Sequence, residues 1–213
     1  MRLLLKMNTF VELSIVISLC AGIILLVFPV AWFPSFYDVR YMGLVCLVYA
    51  GLIVFFPRLF RVSENETDAV RKNQATDLFQ FIIAFAFIGN AFGDLGLYKL
   101  YKVGFEFDKV LHFLIPFTAT IIISIILNER WGIRKIYAIS VAFGFIILCS
   151  VGWEVYEYVA DIVLKTHISG VYGLDISTDT KFDIFYDALG SIPGVLGGIF
   201  FWDSFISWTK KIV

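Results

Sequence analysis

Charge is what this sequence holds least of: 16% of its 213 residues are Asp, Glu, Lys or Arg, and only two are histidine. The net charge of −1 and pI near 6.1 leave no basic footprint, which excludes nucleic acid as a partner. Three cysteines, Cys20, Cys46 and Cys149, fall inside apolar runs at no metal-ligand spacing. They read as small buried hydrophobes, and neither a disulfide framework nor a thiolate zinc site is expected. There is no glycine-rich phosphate loop, no Ser- or Cys-centred triad pattern and no arginine cluster. No Pro/Ser-rich linker, low-complexity tract or repeat divides the chain, so one domain over 1–213 is expected.

Apolar residues fill the space that charge leaves. Hydrophobic residues make up 60% of the chain and aromatics 18%, with a mean hydropathy of +0.85. A soluble domain is about 45–50% apolar, so the class is an integral membrane protein. About 20 apolar residues are needed to cross a bilayer. The runs that qualify cover 11–33, 40–57, 76–98, 108–128, 134–161 and 182–208. The expected fold is therefore all-α: a polytopic membrane bundle of about six transmembrane helices in the cell membrane. Two N-terminal helices and a polar loop (1–75) precede a four-helix core (76–208). MRLLLK at the start has the charge of a leader, yet 11–33 is long enough to span and no small-x-small site follows. A retained helix is expected there.

Lys and Arg set the direction. With the N-terminus cytoplasmic, that side holds eleven of them and the other side six, so both termini are expected in the cytoplasm. The Asn65-Glu66-Thr67 glycosylation triplet then never leaves the cytoplasm and is a chance match.

Against this apolar background, SVGWEVYEYVAD carries Glu154, Glu157 and Asp161 within eight residues at the end of an apolar run. At about 100° per residue the three share a stripe some 60° wide. Asp179, Asp183 and Asp187, four apart, share a face at the start of the last span. Asp108 and His112 lie one turn apart in FDKVLHF, and IGNAFGD places Asn90 and Asp94 at the same level. Four helices thus bring ligands to one layer below the external surface.

A carboxylate in hydrocarbon costs about 2.5 kcal/mol or more, so a shared pocket with a positive charge is required. Lys109 and Lys181 adjoin Asp108 and Asp183, but neighbours on a helix face about 100° apart. A divalent cation (Mg, Mn, Ca or Zn) is the economical partner for one histidine and several carboxylates. The expected ligands are Asp108, His112, Glu157, Asp183 and Asp187. His112 and Glu154 are the expected catalytic groups, and Asn90, Asp94, Asp161 and Asp179 are expected to be more peripheral.

Structural roles compete with these. Asp179 follows Ser177-Thr178 at a helix start, and Thr180 to Asp183 fits a capping box. A lone His112 is more often a satisfied bundle histidine. Trp153, Tyr156 and Tyr158 read as interfacial aromatics. His167, Asp175 and the GVYG stretch are loop residues. Gly190, Gly194 and Gly198 give small-xxx-small spacing, and Pro193 should kink that helix.

The order DKVLHF, WEVYEYVAD and DTKFDIFYDALGSIPG resembles VanZ-like membrane proteins and, more closely, the YjdF-type family. It is carried by Asp108, Lys109, His112 and Phe113, then Glu154 and Glu157, then Asp179, Asp183, Asp187 and Gly190, across about 76–200. VanZ-like proteins have Glu-x-x-Gln on the middle helix, where this chain has Glu154 and Glu157. That departure favours the YjdF-type relatives and argues against carrying over a glycopeptide-resistance role. The resemblance implies a helical membrane fold with the acids at its functional centre, and supplies no reaction.

Three functions stay open at this level. One is a metal-dependent hydrolase or transferase acting on a lipid-linked phosphate or ester in the outer leaflet. A second is an ion- or proton-coupled transporter, and a third a non-catalytic assembly factor. Membrane lipid is the expected partner, with oligomeric state undetermined.

Overall fold

The structure, a computed structural model, describes residues 2–34, 36, 38–63, 68–166, 168–169 and 175–212, with side chains described only between 9 and 207. The Asn65 triplet, His167 and the GVYG stretch lie outside the described residues. Among the described residues seven α-helices make the fold: α1 Arg2–Val27, α2 Val39–Phe55, α3 Ala69–Asp94, α4 Phe107–Trp131, α5 Lys135–Leu164, α6 Ile176–Phe200 and α7 Trp202–Ile212. Short 3-10 turns cover Val30–Trp32, Pro57–Phe60 and Leu97–Val103, and no strand occurs among the described residues. The chain is a polytopic all-α bundle in which five segments are long and apolar enough to cross a membrane: α1, α2 together with the 57–60 turn, α3, α4 and α5.

Local chemistry sets the helix ends. α4 stops at Gly132, whose φ of 66° lets its own N–H turn back to the Asn128 carbonyl and the next N–H, of Ile133, to the Leu127 carbonyl. The Asn128 side chain then holds the Ile133 carbonyl at 2.8 Å. Only 132–134 separate α4 from α5, so the two pack as antiparallel neighbours. At the end of α1, the Arg40 guanidinium caps the Leu25 carbonyl at 2.8 Å and also reaches Leu26.

α6 is the exception among the long helices, because its first half carries Asp179, Asp183 and Asp187, all buried. Its course follows from its contacts with α4. Lys109 meets Asp179 and Asp183, a Cβ on Gly190 would collide with the Phe113 carbonyl, and one on Gly194 would lie 2.9 Å from the Phe117 oxygen. Farther on, Gly197 faces Ile121. Residue numbers rise together on both helices, so α4 and α6 run parallel. From Asp179 to Gly197 the shared length is about 27 Å at 1.5 Å per residue, close to a hydrocarbon thickness. Composition alone misses this helix because its polar stripe faces α4. The absent glycine side chains let the two backbones approach. Pro193 lies inside α6 without ending it.

The run expected over 182–208 is two elements. α6 ends at Phe200, and α7 follows from Trp202 as a separate short helix. Trp202, Phe205 and Ile206 of α7 pack on the aliphatic core of Ala75, Leu78, Ile82, Ile122, Ile125, Ile126 and Ile146. Asp203, Ser204 and Ser207 alternate with them in sequence, an amphipathic pattern that suits a membrane interface. The first helix also lies earlier than expected: α1 begins at Arg2 and ends at Val27, before Pro29, and the chain turns by Trp32. Between α1 and α2, Gly22 and Gly43 face each other so closely that a Cβ on Gly22 would lie 2.9 Å from the Gly43 oxygen.

Candidate functional site

The parallel register of α4 and α6 builds the site. Lys109 and His112, three apart on α4, face a stripe of aspartates four apart on α6. The Lys109 ammonium is 6% exposed and sits 3.0 Å from Asp108 Oδ2, 2.7 Å from Asp179 Oδ1 and 2.5 Å from Asp183 Oδ1. An ammonium has three N–H donors, and three carboxylates take them. His112 Nδ1 lies 3.1 Å from Asp187 Oδ1. Its Nε2 faces Asp183 Oδ1 at 3.5 Å and Asp108 Oδ1 at 3.6 Å.

Lys109 is the residue that helix geometry misjudged. Adjacent Cα–Cβ bonds do diverge, but a four-carbon stem carries the charge back across that angle. The signal was available: four aspartates at one depth with a lysine in their midst. Two further positions need correction. Asp179, expected to be peripheral, is buried on the Lys109 ammonium. The capping-box explanation of Asp179 and Asp183 also fails, because α6 begins earlier, at Ile176 with Asp175 as its N-cap. Asp183 therefore lies about two turns in, where no capping donor is free. The Asp175 side chain accepts a long hydrogen bond from the Thr178 hydroxyl, 3.4 Å.

The α5 acids adjoin this centre differently. Glu154 is 7% exposed, and its Oε1 has no hydrogen-bond partner. Glu157 accepts from Trp153 Nε1 at 2.7 Å and lies within Coulombic reach of Glu154, Asp108 and His112. Asp161 is turned to a structural task. It accepts from Thr166 Oγ1 at 2.7 Å, Ile168 N at 2.9 Å, Ser169 N at 3.0 Å and the Ser169 hydroxyl. It ties down the segment after α5. On α3, Asn90 accepts from the Tyr98 hydroxyl at 2.8 Å and donates to the Ala86 carbonyl. Burial pushes the Tyr98 phenol well above its ordinary value, so it stays a neutral donor. Asp94 closes α3.

Asp108, His112 and Asp183 offer one ligand atom each, all within 4.8 Å of one another. Metal–ligand bonds of about 2.1 Å put adjacent ligands roughly 3–3.5 Å apart and opposite ones about 4.2 Å apart, and the His112 Nε2 distances of 3.6 Å to Asp108 Oδ1 and 3.5 Å to Asp183 Oδ1 are near the first of these, so the trio could hold a divalent ion. Asp187 stands behind His112, the position of a carboxylate that orients a ligating imidazole. The competing occupant of the same acids is the Lys109 ammonium, which shares Asp183 Oδ1 with His112.

A family model described as predicted membrane protein, DUF2238, matches residues 15–204. No curated protein and no solved structure matches the chain.

Proposed function

Taking as premise that the chain belongs to the DUF2238 family of predicted membrane proteins, we propose that this integral membrane protein binds a divalent cation at Asp108, His112 and Asp183. In this reading it uses the cation to hydrolyse or transfer a lipid-linked phosphate or ester. The observation that carries the reading is the convergence of those three ligand atoms within 4.8 Å. A bound divalent ion supplies Lewis-acid polarisation of the phosphoryl or carbonyl oxygen.

The chain's own residues do the rest. Asp187 accepts the His112 Nδ1 proton, which fixes the imidazole and leaves Nε2 as the free lone pair facing Asp108 and Asp183. Glu154, buried with one oxygen unpartnered, is positioned to accept a proton from water or substrate. Lys109 holds Asp108, Asp179 and Asp183 together and offsets their mutual repulsion. Glu157 and Asp187 thus move from ligands to supporting groups. The order of motifs shared with YjdF-type and VanZ-like proteins agrees with a centre at these residues. The orientation proposed is both termini in the cytoplasm, from the eleven-to-six division of Lys and Arg. It puts the centre at headgroup depth in the outer leaflet of the cell membrane.

One observation favours a second reading. Lys109 already neutralises three aspartates, so the network could serve packing alone, in an assembly factor that binds no metal. Thermal unfolding of the purified chain, in chelator and then with Mg, Mn, Ca or Zn added, separates the two. A metal-dependent rise in melting temperature that disappears in His112→Ala supports the metal reading, and equal melting with and without chelator overturns it. A reporter after Val213 that scores as extracytoplasmic overturns the orientation.

A further inference from the structure

Helix hydroxyls in this chain follow one habit. Ser14, Thr76, Thr118, Ser124, Ser140 and Ser150 each donate to the carbonyl four residues back, at 2.6–3.1 Å. Thr120 and Ser191 depart from it. Both are 0% exposed, and neither hydroxyl has a partner among the described residues. Four buried side-chain polar atoms are unpartnered among those residues, and three of them, Thr120 Oγ1, Ser191 Oγ and Glu154 Oε1, belong to α4, α6 and α5.

Register gathers these oxygens into one seam. Gly194 approaches Thr120 so closely that an added Cβ would lie 3.0 Å from the Thr120 Cβ. One turn earlier on α6 is Ser191, and one turn before that is Asp187, 3.1 Å from His112. Ser191 therefore sits between two contacts of α6 with α4. On α4, His112, Pro116 and Thr120 are four apart, and the buried Pro116 has no N–H to give the His112 carbonyl. α5 runs antiparallel to α6 and meets it where Gly198 faces Ile139. Glu154 is fifteen residues from Ile139 and Asp183 fifteen from Gly198, so the Glu154 carboxylate is level with the ionic centre. From Asp183 to Gly194 the seam descends about 16 Å, roughly half a hydrocarbon thickness. Beyond it Ile121, Ile122 and Ile125 close the interior.

A buried hydroxyl without a partner costs about 1–3 kcal/mol, so something must serve these groups. A cation would take their lone pairs and leave each O–H with nothing to donate to. Water both donates and accepts, and it bridges buried polar groups of this kind.

We infer that the seam between His112 and Thr120 binds ordered water, so that the ionic centre is the mouth of a hydrated pocket closed at its inner end. A centre that transfers a group to a second lipid must shut water out, and one standing over a water pocket delivers that group to hydrolysis. This consequence rests on the proposed function above, whereas the water site does not. In that step the water oxygen bonds to the phosphorus or acyl carbon and the bond from that atom to the leaving oxygen breaks. One water proton passes through Glu154 to the leaving oxygen.

The test uses the full chain in detergent with EDTA present. Thr120→Val and Ser191→Ala each remove a hydroxyl and little else. With water bound to those hydroxyls, each variant should melt about 2–4 °C below wild type. Melting unchanged or raised in either variant overturns the inference, because losing an unsatisfied hydroxyl costs nothing. Pulsed X-ray radiolysis of the wild-type chain, read by mass spectrometry, needs no substitution and decides alone if a variant does not fold. Ordered water should direct oxidation to residues 113–120 and spare 121–126. Equal labelling of the two segments, or none in 113–120, overturns the inference. A melting temperature that rises in sodium over choline chloride, and no longer does so in Ser191→Ala, assigns the pocket to a monovalent cation and overturns the water site. A hydrated seam in a chain that no divalent ion stabilises sinks the metal reading and leaves the pocket standing. Divalent-ion stabilisation over a dry seam does the reverse.

Discussion

The two ends of the α4–α6 pair are made of opposite materials. At the Asp108 end the helices meet through a buried lysine, a histidine and four aspartates. Toward the other end the surrounding core is aliphatic, with Ile122, Ile125 and Ile126 of α4 packed among residues of α3, α5 and α7. The glycines of α6 provide close backbone approach between the two ends. An aliphatic core gains from packing and leaves little unsatisfied. The ionic end must compensate the desolvation of every charge, and a buried pair is often no more stabilising than apolar residues of the same shape. A membrane protein that kept the ionic end for stability alone would be choosing the costlier material, which is why that end reads as functional.

The largest effect that sharpens this contrast is expected from Lys109→Met. It leaves Asp108, Asp179 and Asp183 without their shared cation, at a cost of about 3–5 kcal/mol in chelator. Measured by thermal or denaturant unfolding, part of that loss should return on adding a divalent ion. A variant as stable as wild type in chelator would mean that the aspartates are not charged together in the folded protein.

Ile125→Ala probes the other end. The side chain is 1% exposed, and its truncation should cost about 3 kcal/mol through lost contacts and a cavity. Metal-dependent stabilisation should be unchanged. A loss of that response would show that the two ends are not separable.

Gly190→Ala tests the joint between them. The added Cβ meets the Phe113 carbonyl, so the helices must shift apart, at a cost of about 1–3 kcal/mol. Because Gly190 adjoins the ionic end, cation response should fall along with stability. Retained response at full strength would place the close approach elsewhere. The smallest effect is expected from Asp161→Asn, about 1 kcal/mol, through weaker hydrogen bonds to Ser169 and Ile168. It should speed proteolysis after α5 and leave cation binding alone, and a strong loss of binding would move Asp161 into the centre.

How much of this was legible in the residues differs by scale. Five helices announce themselves because the bilayer demands an apolar run of fixed length. α6 was found as a span only by tolerating its aspartates, and its boundary at Phe200 was missed because apolar residues continue into α7. The stripe of Asp179, Asp183 and Asp187 follows from spacing alone, as does the pairing of Asp108 with His112 on one face. Which acid meets which base did not follow. Capping competes for Asp179 in the sequence because a helix start is a local property, whereas its partner comes from another helix.

Sequence by itself determined that this is a helical membrane protein and that its charge gathers at one level of the bundle. Both facts come from periodicity and length, which each segment carries without reference to the others. Only the tertiary structure decided that α4 and α6 lie side by side and that Lys109 closes on three aspartates. It alone brought Tyr41 of α2 to Tyr156 of α5. Those are contacts between residues up to 115 positions apart in the chain, fixed by how glycine faces let backbones approach and how far a flexible side chain can reach.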